Sequence, residues 1–159
     1  MQSLTELIHE IESKIQKNQV GNALDLLSPF DEYAGNDWKS HFDADLNDFQ
    51  YSVLHEDANF KLVLIYWNEG SKSKKHGHKK GGGLIRVLSG QINETRFHPD
   101  DLDLETGIFS YCTGDLSYIH DSLGLHAVEN NENEHAVSLH LYCSGANSTS
   151  IIDYSAESN

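Results

Sequence analysis

The chain has 159 residues, of which 38% are hydrophobic and 23% charged, as expected for one globular domain with a buried core. Its formal net charge of −14 argues against a nucleic-acid or anionic-membrane partner, and no apolar run approaches the roughly 20 residues of a membrane span. The opening segment is polar and acidic, unlike a secretory signal, and Cys112 and Cys143 make no disulfide framework, so a reducing cytoplasm is expected.

Residues 1–48 are predicted to form a helical segment that packs on the remainder of one structural domain. Apolar residues recur at helical spacing in residues 4–16, and a second short helix is expected in residues 20–30, ending near Pro29. A third turn is expected around the stretch DWKSHF. These elements predict short α-helices before the main fold.

Residues 49–159 have the pattern of an all-β sandwich or barrel. Short runs rich in β-branched and aromatic residues alternate with clusters of Gly, Asn and Asp at intervals of roughly ten residues. The stretch LSGQI is typical of a tight hairpin turn between two such runs. The predicted strands cover residues 61–67, 84–90, 91–97, 107–112, 116–120, 126–130 and 136–142.

Two histidines stand one residue apart in KKHGHKKGGGLIRVLSGQINETRF, residues 74–97. On an extended segment, His76 and His78 point to the same side. His126 follows a glycine turn and opens a short strand, so the three side chains can build a facial three-nitrogen metal site with open coordination positions. A solvated pair of loop histidines is the alternative for His76 and His78, and three imidazoles also suit zinc.

A second group of polar residues alternates along the last predicted strand. Ser138, His140 and Tyr142 occupy positions i, i+2 and i+4 and therefore share one face, while the apolar residues between them take the other. Such a face is costly inside a barrel unless its members bond each other or a ligand. The alternative is a solvent-facing edge strand.

The order and spacing of these segments resemble the two-part signature of the cupin superfamily. Gly70 precedes the histidine pair in the pattern G-x5-H-x-H, and His126 lies in the second part. The usual glutamate ligand of cupins corresponds here to Gly83. Three histidines without that glutamate resemble the cysteine dioxygenase family of thiol dioxygenases, as do the stretches LSGQINETRF, YIHDSLGLH, GLHAVEN and VSLHLY.

This resemblance implies a cupin double-stranded β-helix, or jelly-roll barrel, with short N-terminal α-helices. It implies a mononuclear non-haem Fe(II) enzyme that oxidises cysteine or a related small thiol with O2 to a sulfinic acid. The metal ligands would be His76, His78 and His126. The catalytic hydrogen-bonded chain would be Ser138, His140 and Tyr142, and the substrate contacts would be Tyr51, Trp67 and Tyr142.

Two departures from the family pattern bear on the substrate. Gly83 stands where many animal members carry a cysteine that cross-links to the tyrosine equivalent to Tyr142, so Tyr142 is expected to be unmodified. The Tyr-x-Arg pair that clamps the carboxylate in cysteine-specific members has no counterpart around Tyr51. Arg86 and Arg96 lie on predicted strands and are interpreted as outward-facing charges, with entry of one into the cavity left open.

Two other functions are compatible with the same residues. One is another metal-dependent cupin enzyme that acts on a sulfur-containing small molecule, and the other is a metal-dependent binding or sensor protein without turnover. The polar face formed by Ser138, His140 and Tyr142 argues against mere metal storage. The expected partners are a small thiol and O2, and the expected oligomeric state is a monomer.

Overall fold

The computed structural model describes residues 2–42, 49–78 and 81–143. In this part of the chain, two α-helices precede eight β-strands that form two antiparallel sheets. One sheet has the strand order β1-β2-β8-β3-β6 and the other β5-β4-β7. The elements are α1 (Leu4–Lys17), α2 (Leu27–Asp31), β1 (Gln50–Glu56), β2 (Phe60–Trp67), β3 (Gly83–Ser89), β4 (Gln91–His98), β5 (Asp101–Cys112), β6 (Leu116–Ile119), β7 (Leu125–Glu129) and β8 (Ala136–Cys143).

Helix α1 begins at a capping box, which confirms the first predicted helix. The Ser3 side chain accepts a hydrogen bond from the backbone N–H of Glu6, and the Glu6 carboxylate accepts one from the backbone N–H of Ser3. Leu4, Leu7 and Ile11 are buried on one face of the helix. This apolar stripe packs the helix onto the larger sheet.

The second and third helical predictions are also confirmed, as short pieces. A 3₁₀ turn, Ala23–Leu26, runs directly into α2, and a further 3₁₀ turn covers Asp37–His41. Arg86 of β3 donates hydrogen bonds to the carbonyl oxygens of Phe30 and Asp31 at the end of α2. The side chain of Arg86 therefore faces outward, as predicted, and joins the helical segment to the sheet.

The five-stranded sheet is covered on both faces. Strand β8 lies between β2 and β3, and its alternate residues face opposite sides. Leu139 and Leu141 belong to the outer core beneath the helices, whereas Val63 and Ile65 of β2 belong to an inner core between the two sheets. Ser138 and His140 lie opposite these two inner β2 residues, so the polar face of β8 is turned into the barrel.

Strand β1 was not predicted from the sequence, and β5 is longer than the strand predicted there. Strand β1 pairs with β2 and contains a bulge between Val53 and His55, which interrupts the simple alternation that predicts strands. Strand β5 begins at Asp101 because its first half, although acidic, pairs with the end of β4. Charged side chains do not prevent a strand there because the residues in the first half of β5 are exposed.

The predicted fold class, an all-β jelly-roll barrel with short N-terminal helices, is confirmed by these two facing sheets. The division of the chain at residue 48 remains a prediction. Among the described residues, the structure has no helix that is long and apolar enough to cross a membrane.

Candidate metal centre

The histidine pair lies on an extended segment that runs antiparallel to β7. Lys72 bridges to Glu129, and His76 bridges to His126. The backbone N–H of each of these histidines donates to the carbonyl oxygen of the other at 2.9 Å. This bridge fixes the position of His76 relative to His126, the ligand predicted from a distant part of the sequence.

The residue between the paired histidines must be small. A Cβ atom at Gly77 would lie 2.4 Å from an Asp121 carboxylate oxygen and 2.7 Å from a Leu125 methyl group. The segment can therefore approach the loop after β6 closely only because Gly77 has no side chain. This contact holds the two flanking imidazoles against the barrel.

The three predicted ligands converge through their Nε2 atoms. His78 Nε2 lies 2.8 Å from His126 Nε2, which lies 3.0 Å from His76 Nε2. In the described part of the chain, these three residues are the cluster that could hold a metal ion, with ligand atoms all within 4.8 Å of one another. His78 and His126 are buried, and His76 is half-buried.

The opposite nitrogens of two rings fix their tautomers. His126 Nδ1 lies 2.7 Å from a Glu94 carboxylate oxygen, and His76 Nδ1 lies 2.6 Å from the Lys74 carbonyl oxygen. Since both partners are acceptors, each Nδ1 must carry the proton and donate it. When both rings are neutral, the two Nε2 atoms face each other with lone pairs across 3.0 Å, an arrangement that a bound cation would satisfy.

The nitrogen separations also indicate the coordination geometry that the cluster suits. Two nitrogens at a right angle about an ion, each about 2.0–2.1 Å from it, are about 2.8–3.0 Å apart, whereas a tetrahedral angle separates them by about 3.3–3.4 Å. The two separations of 2.8 and 3.0 Å lie nearer the right-angled value. The residues present therefore fit a metal ion held by imidazole nitrogens.

Burial is the main influence on the protonation of His76 and His78. Burial, reinforced by the neighbouring His126, lowers the pKa of His76 from 6.5 to about 3. Burial and the surrounding histidines lower the pKa of His78 well below 6.5. Neutral imidazole is the form that binds a metal ion, so these two ligands need not lose a proton near neutral pH.

Glu94 of β4 is a functional residue that the sequence analysis missed. Its side chain is 1% exposed and accepts hydrogen bonds from His126, Arg96, Ser117 and Tyr111. Burial alone would raise the pKa of Glu94, but the hydrogen bond and charge of His126, together with Arg96, lower it to about 2. An ionised carboxylate on Nδ1 orients a metal-binding imidazole and increases its basicity.

The alternation of residues along β4 could have identified Glu94 as an inward-facing residue. Ile92, Glu94 and Arg96 alternate along β4, and Ile92 belongs to the inner core, so all three share the face that lines the barrel. The interpretation of Arg96 as outward-facing was wrong. Its guanidinium group lies on the inner face and donates to Glu94, Ser117 and the Tyr118 carbonyl oxygen.

The polar face of β8 forms a continuous hydrogen-bonded chain that ends at Tyr142. Trp67 Nε1 donates to Ser138 Oγ at 2.8 Å, Ser138 Oγ lies 2.6 Å from His140 Nε2, and His140 Nδ1 lies 2.8 Å from the Tyr142 hydroxyl. Trp67 can only donate. If the Ser138 hydroxyl donates a hydrogen bond to His140 Nε2, then His140 Nδ1–H donates to the Tyr142 oxygen. The hydroxyl proton of Tyr142 can then be donated to another group.

Burial keeps His140 in the neutral form that this chain needs. Its side chain is completely buried, and burial, together with the nearby His126 and His76, lowers its pKa well below 6.5. Trp67 is also completely buried and lies at the start of the chain of hydrogen bonds, away from Tyr142. A substrate contact by Trp67 remains a prediction.

The Tyr142 ring lies against the metal cluster. It stacks on the His78 ring with centroids 5.0 Å apart and planes inclined by 9°. Gly83 pairs with Tyr142 across the strands, and a Cβ atom at Gly83 would lie 3.0 Å from the ring. The position that holds a glutamate ligand in other cupins is thus filled by the Tyr142 ring packing against glycine.

Tyr51 and Phe49 line the same inner space. Tyr51 is opposite Ile65, an inner-core residue, and both aromatic rings pack against that core. The Phe49 ring meets the Trp67 ring edge to face at 5.3 Å. The structure therefore brings Tyr51 to the inner face, as its predicted role requires, and supplies no arginine from this strand.

Comparisons with known proteins agree with this geometry. The family model for cysteine dioxygenase type I matches residues 1–153. The chain is 32% identical to cysteine dioxygenase type 1 of Danio rerio over 150 residues, covering 89% of this chain and 74% of that one. It is 31% identical to the Rattus norvegicus protein of the same name over 148 residues, covering 88% and 74%. A cupin superfamily protein of Desulfitobacterium hafniense superposes with a TM-score of 0.54 at 16% identity, over 69% of this chain and 89% of that one.

Proposed function

Since this chain belongs to the cysteine dioxygenase family of oxidoreductases, we propose that it uses iron(II) and O2 to oxidise a small thiol to a sulfinic acid. Both atoms of O2 enter the product, so R–SH and O2 give R–SO2H with no further reductant. The observation that carries the proposal is the convergence of three Nε2 atoms without a carboxylate ligand, next to the Tyr142 chain.

The ligand set supports iron(II) and a thiolate. Imidazole suits iron as a ligand, and three neutral ligands would leave the full positive charge of the metal to attract an anionic sulfur. Bound iron(II) would supply a Lewis acid that favours the thiolate and a redox centre through which electrons pass from sulfur to O2. His76 and His78 hold neutral imidazoles there, and Glu94 holds the His126 ring by its Nδ1 proton.

Tyr142 is proposed to position and protonate the reacting groups. Its hydroxyl accepts from His140 in the tautomer described above, so its own proton is the one that Tyr142 would donate to a reacting group. Ser138 keeps His140 in that tautomer, and Trp67 keeps Ser138 oriented. The apolar residues of the inner core exclude water around this chain, which strengthens its hydrogen bonds.

Oxygen consumption by the iron(II)-loaded protein tests the proposal. We expect uptake with at least one of cysteine, cysteamine, 3-mercaptopropionate and mercaptosuccinate, with a product heavier than the thiol by two oxygen atoms. The His126→Ala variant should lose both iron and uptake. The matched control is His9→Ala, which removes an exposed histidine of α1. Iron-loaded protein that consumes no oxygen with any of the four thiols would contradict the proposal.

We also propose a cytoplasmic location and a monomeric state. Cys112 and Cys143 do not bridge one another, which is compatible with the reducing cytoplasm we propose as the location. A monomer with residues 1–48 packed on a barrel of residues 49–159 is likewise proposed. Sedimentation of the purified protein measures the oligomeric state directly.

A further inference from the structure

Lys61 is a positive charge placed inside the barrel. On β2, Lys61 shares a face with Val63, Ile65 and Trp67, all of which belong to the inner core. Its relative exposure is 9%. A lysine is rarely buried without a partner of opposite charge. This ammonium group therefore needs a counter-charge, and the Glu56 carboxylate lies 3.3 Å from it.

Lys61 lies at the end of the barrel that holds the metal cluster. It is directly opposite Tyr142 in the β2–β8 register, and Tyr142 is in turn opposite Gly83. The Tyr142 ring stacks on His78. Side chains of directly opposed strand residues are neighbours, with Cβ atoms about 4.5–5.5 Å apart. The flexible lysine side chain thus begins one strand away from the ring that covers the ligand His78.

Lys61 has two partners in the described part of the chain, Glu56 and Tyr51. Its Nζ lies 3.3 Å from a Glu56 carboxylate oxygen and 5.4 Å from the centre of the Tyr51 ring. Burial lowers the pKa of Lys61, but hydrogen bonds and charge from Tyr51 and Glu56 outweigh burial, and the net pKa is raised. An ammonium group has three N–H donors. Among the described residues, Glu56 and Tyr51 are the partners that engage its donors, so a third N–H can serve a ligand.

Neither arginine of the barrel strands supplies such a charge. Arg96 is engaged by Glu94 and by two residues of β6, and Arg86 faces the helices. Glu56 is 33% exposed, so the Lys61–Glu56 pair stands at the rim between solvent and the inner face.

We propose that Lys61 binds the carboxylate of the thiol substrate, with Glu56 as its counter-ion before the substrate enters. The inference rests on the proposed function, since it assigns a specificity-determining residue of that same site, in a chain whose strand β1 supplies no arginine. Sulfur goes to the metal, and the carboxylate goes to Lys61 beside Tyr142. Charge-assisted hydrogen bonds of this kind are the strong ones in binding sites.

Binding of three thiols to the anaerobic iron(II)-loaded protein tests the inference by isothermal titration calorimetry. The thiol 3-mercaptopropionate has a carboxylate and no amine, cysteamine has an amine and no carboxylate, and cysteine has both. Lys61→Met should raise the Kd of 3-mercaptopropionate and cysteine about 10–100-fold and leave that of cysteamine unchanged. Lys61→Arg keeps the cation and should retain most of the affinity for 3-mercaptopropionate.

Matched variants separate recognition from structure. Lys72→Met breaks a lysine–glutamate pair with Glu129 on the exposed side of the chain and should not change any of the three affinities. If Lys61→Met does not fold, Lys61→Met combined with Glu56→Gln removes the orphaned carboxylate as well and gives the same comparison. Equal weakening of all three thiols would mean that Lys61 is structural and would overturn the inference.

The outcomes also distinguish this inference from the proposed function. Selective loss of carboxylate thiols in a protein that consumes no oxygen supports the role of Lys61 and contradicts dioxygenation. Normal oxygen uptake with unchanged affinity in Lys61→Met supports dioxygenation and overturns the role of Lys61. Failure of the wild-type protein to bind any of the thiols overturns both.

Discussion

At the scale of single residues, both carboxylate oxygens of Glu94 have hydrogen-bond partners. Glu94 uses one carboxylate oxygen for the Nδ1 proton of His126 and the other for Arg96, Ser117 and Tyr111. The carboxylate thus fixes the orientation of a metal ligand while it neutralises a partly buried guanidinium group. The same side chain serves the metal and the stability of the barrel.

Glu94→Gln should weaken both metal binding and the stability of the barrel. The neutral amide cannot balance Arg96 and leaves His126 without a charged acceptor, so we expect metal affinity to fall about 10–100-fold. We expect a loss of about 3 kcal/mol in the free energy of unfolding of the metal-free protein, since one partner of a buried ion pair is removed. Metal titration and urea unfolding measure the two effects.

The control for this substitution lies on the adjacent strand. Glu129→Gln removes a carboxylate of β7 whose Lys72 partner is 52% exposed. Exposed pairs contribute about 0–1 kcal/mol, so this variant should keep its metal affinity and nearly all of its stability. Equal effects of the two substitutions would show that Glu94 has no particular role at the metal.

At the scale of elements, the central strand β8 separates two different environments. One face packs under the helices, and the other carries the Ser138–His140–Tyr142 chain into the barrel. The helical segment completes the outer face, and Arg86 ties the end of α2 to β3. The helices therefore stabilise the sheet that holds the site without contributing a side chain to the metal cluster.

Arg86→Met should separate stability from metal binding. It removes hydrogen bonds to the carbonyl oxygens of Phe30 and Asp31 from a side chain that is 16% exposed. We expect a loss of about 2 kcal/mol in the free energy of unfolding, as for hydrogen bonds from a charged donor, with unchanged metal affinity. Urea unfolding compared with the wild-type protein checks the first expectation, and metal titration checks the second. Weakened metal binding with intact stability would contradict this division.

At the scale of the whole molecule, the barrel buries several histidines in the neutral form. Burial is the main cause of the lowered pKa of His76, His78 and His140. In the unfolded chain these side chains take up protons near pH 6.5. As pH falls below that value, the unfolded state binds protons but the folded state does not, because its histidines have lowered pKa values. The folded state therefore loses stability.

The metal-free protein should therefore become less stable between pH 7 and pH 5. Each neutral buried histidine contributes a slope of up to about 1.4 kcal/mol per pH unit below its unfolded pKa. Protonation of Glu94, whose pKa is lowered to about 2, adds to the loss only below about pH 4.5. Urea unfolding at several pH values measures the slope, and His140→Asn should reduce it. A free energy of unfolding that does not change over this range would contradict the burial of neutral histidines.

The sequence by itself determined much of the fold and of the candidate site. Periodicity located α1 and most strands, the HxH spacing and His126 indicated the metal ligands, and the i, i+2, i+4 alternation of Ser138, His140 and Tyr142 gave their common face. These features are local, because the repeat of a helix or strand is set by neighbouring residues. The resemblance to a known family then connected the distant segments.

The tertiary structure alone decided which charges enter the barrel. Arg96 was interpreted as outward-facing, yet it points inward because Glu94 is there to neutralise it. Nothing in the sequence around Lys61 marks it as an inward-facing charge, and strand pairing places it opposite Tyr142. A buried charge is tolerated only beside a partner that is remote in sequence, and strand register, which sets those partners, is not encoded within either strand alone.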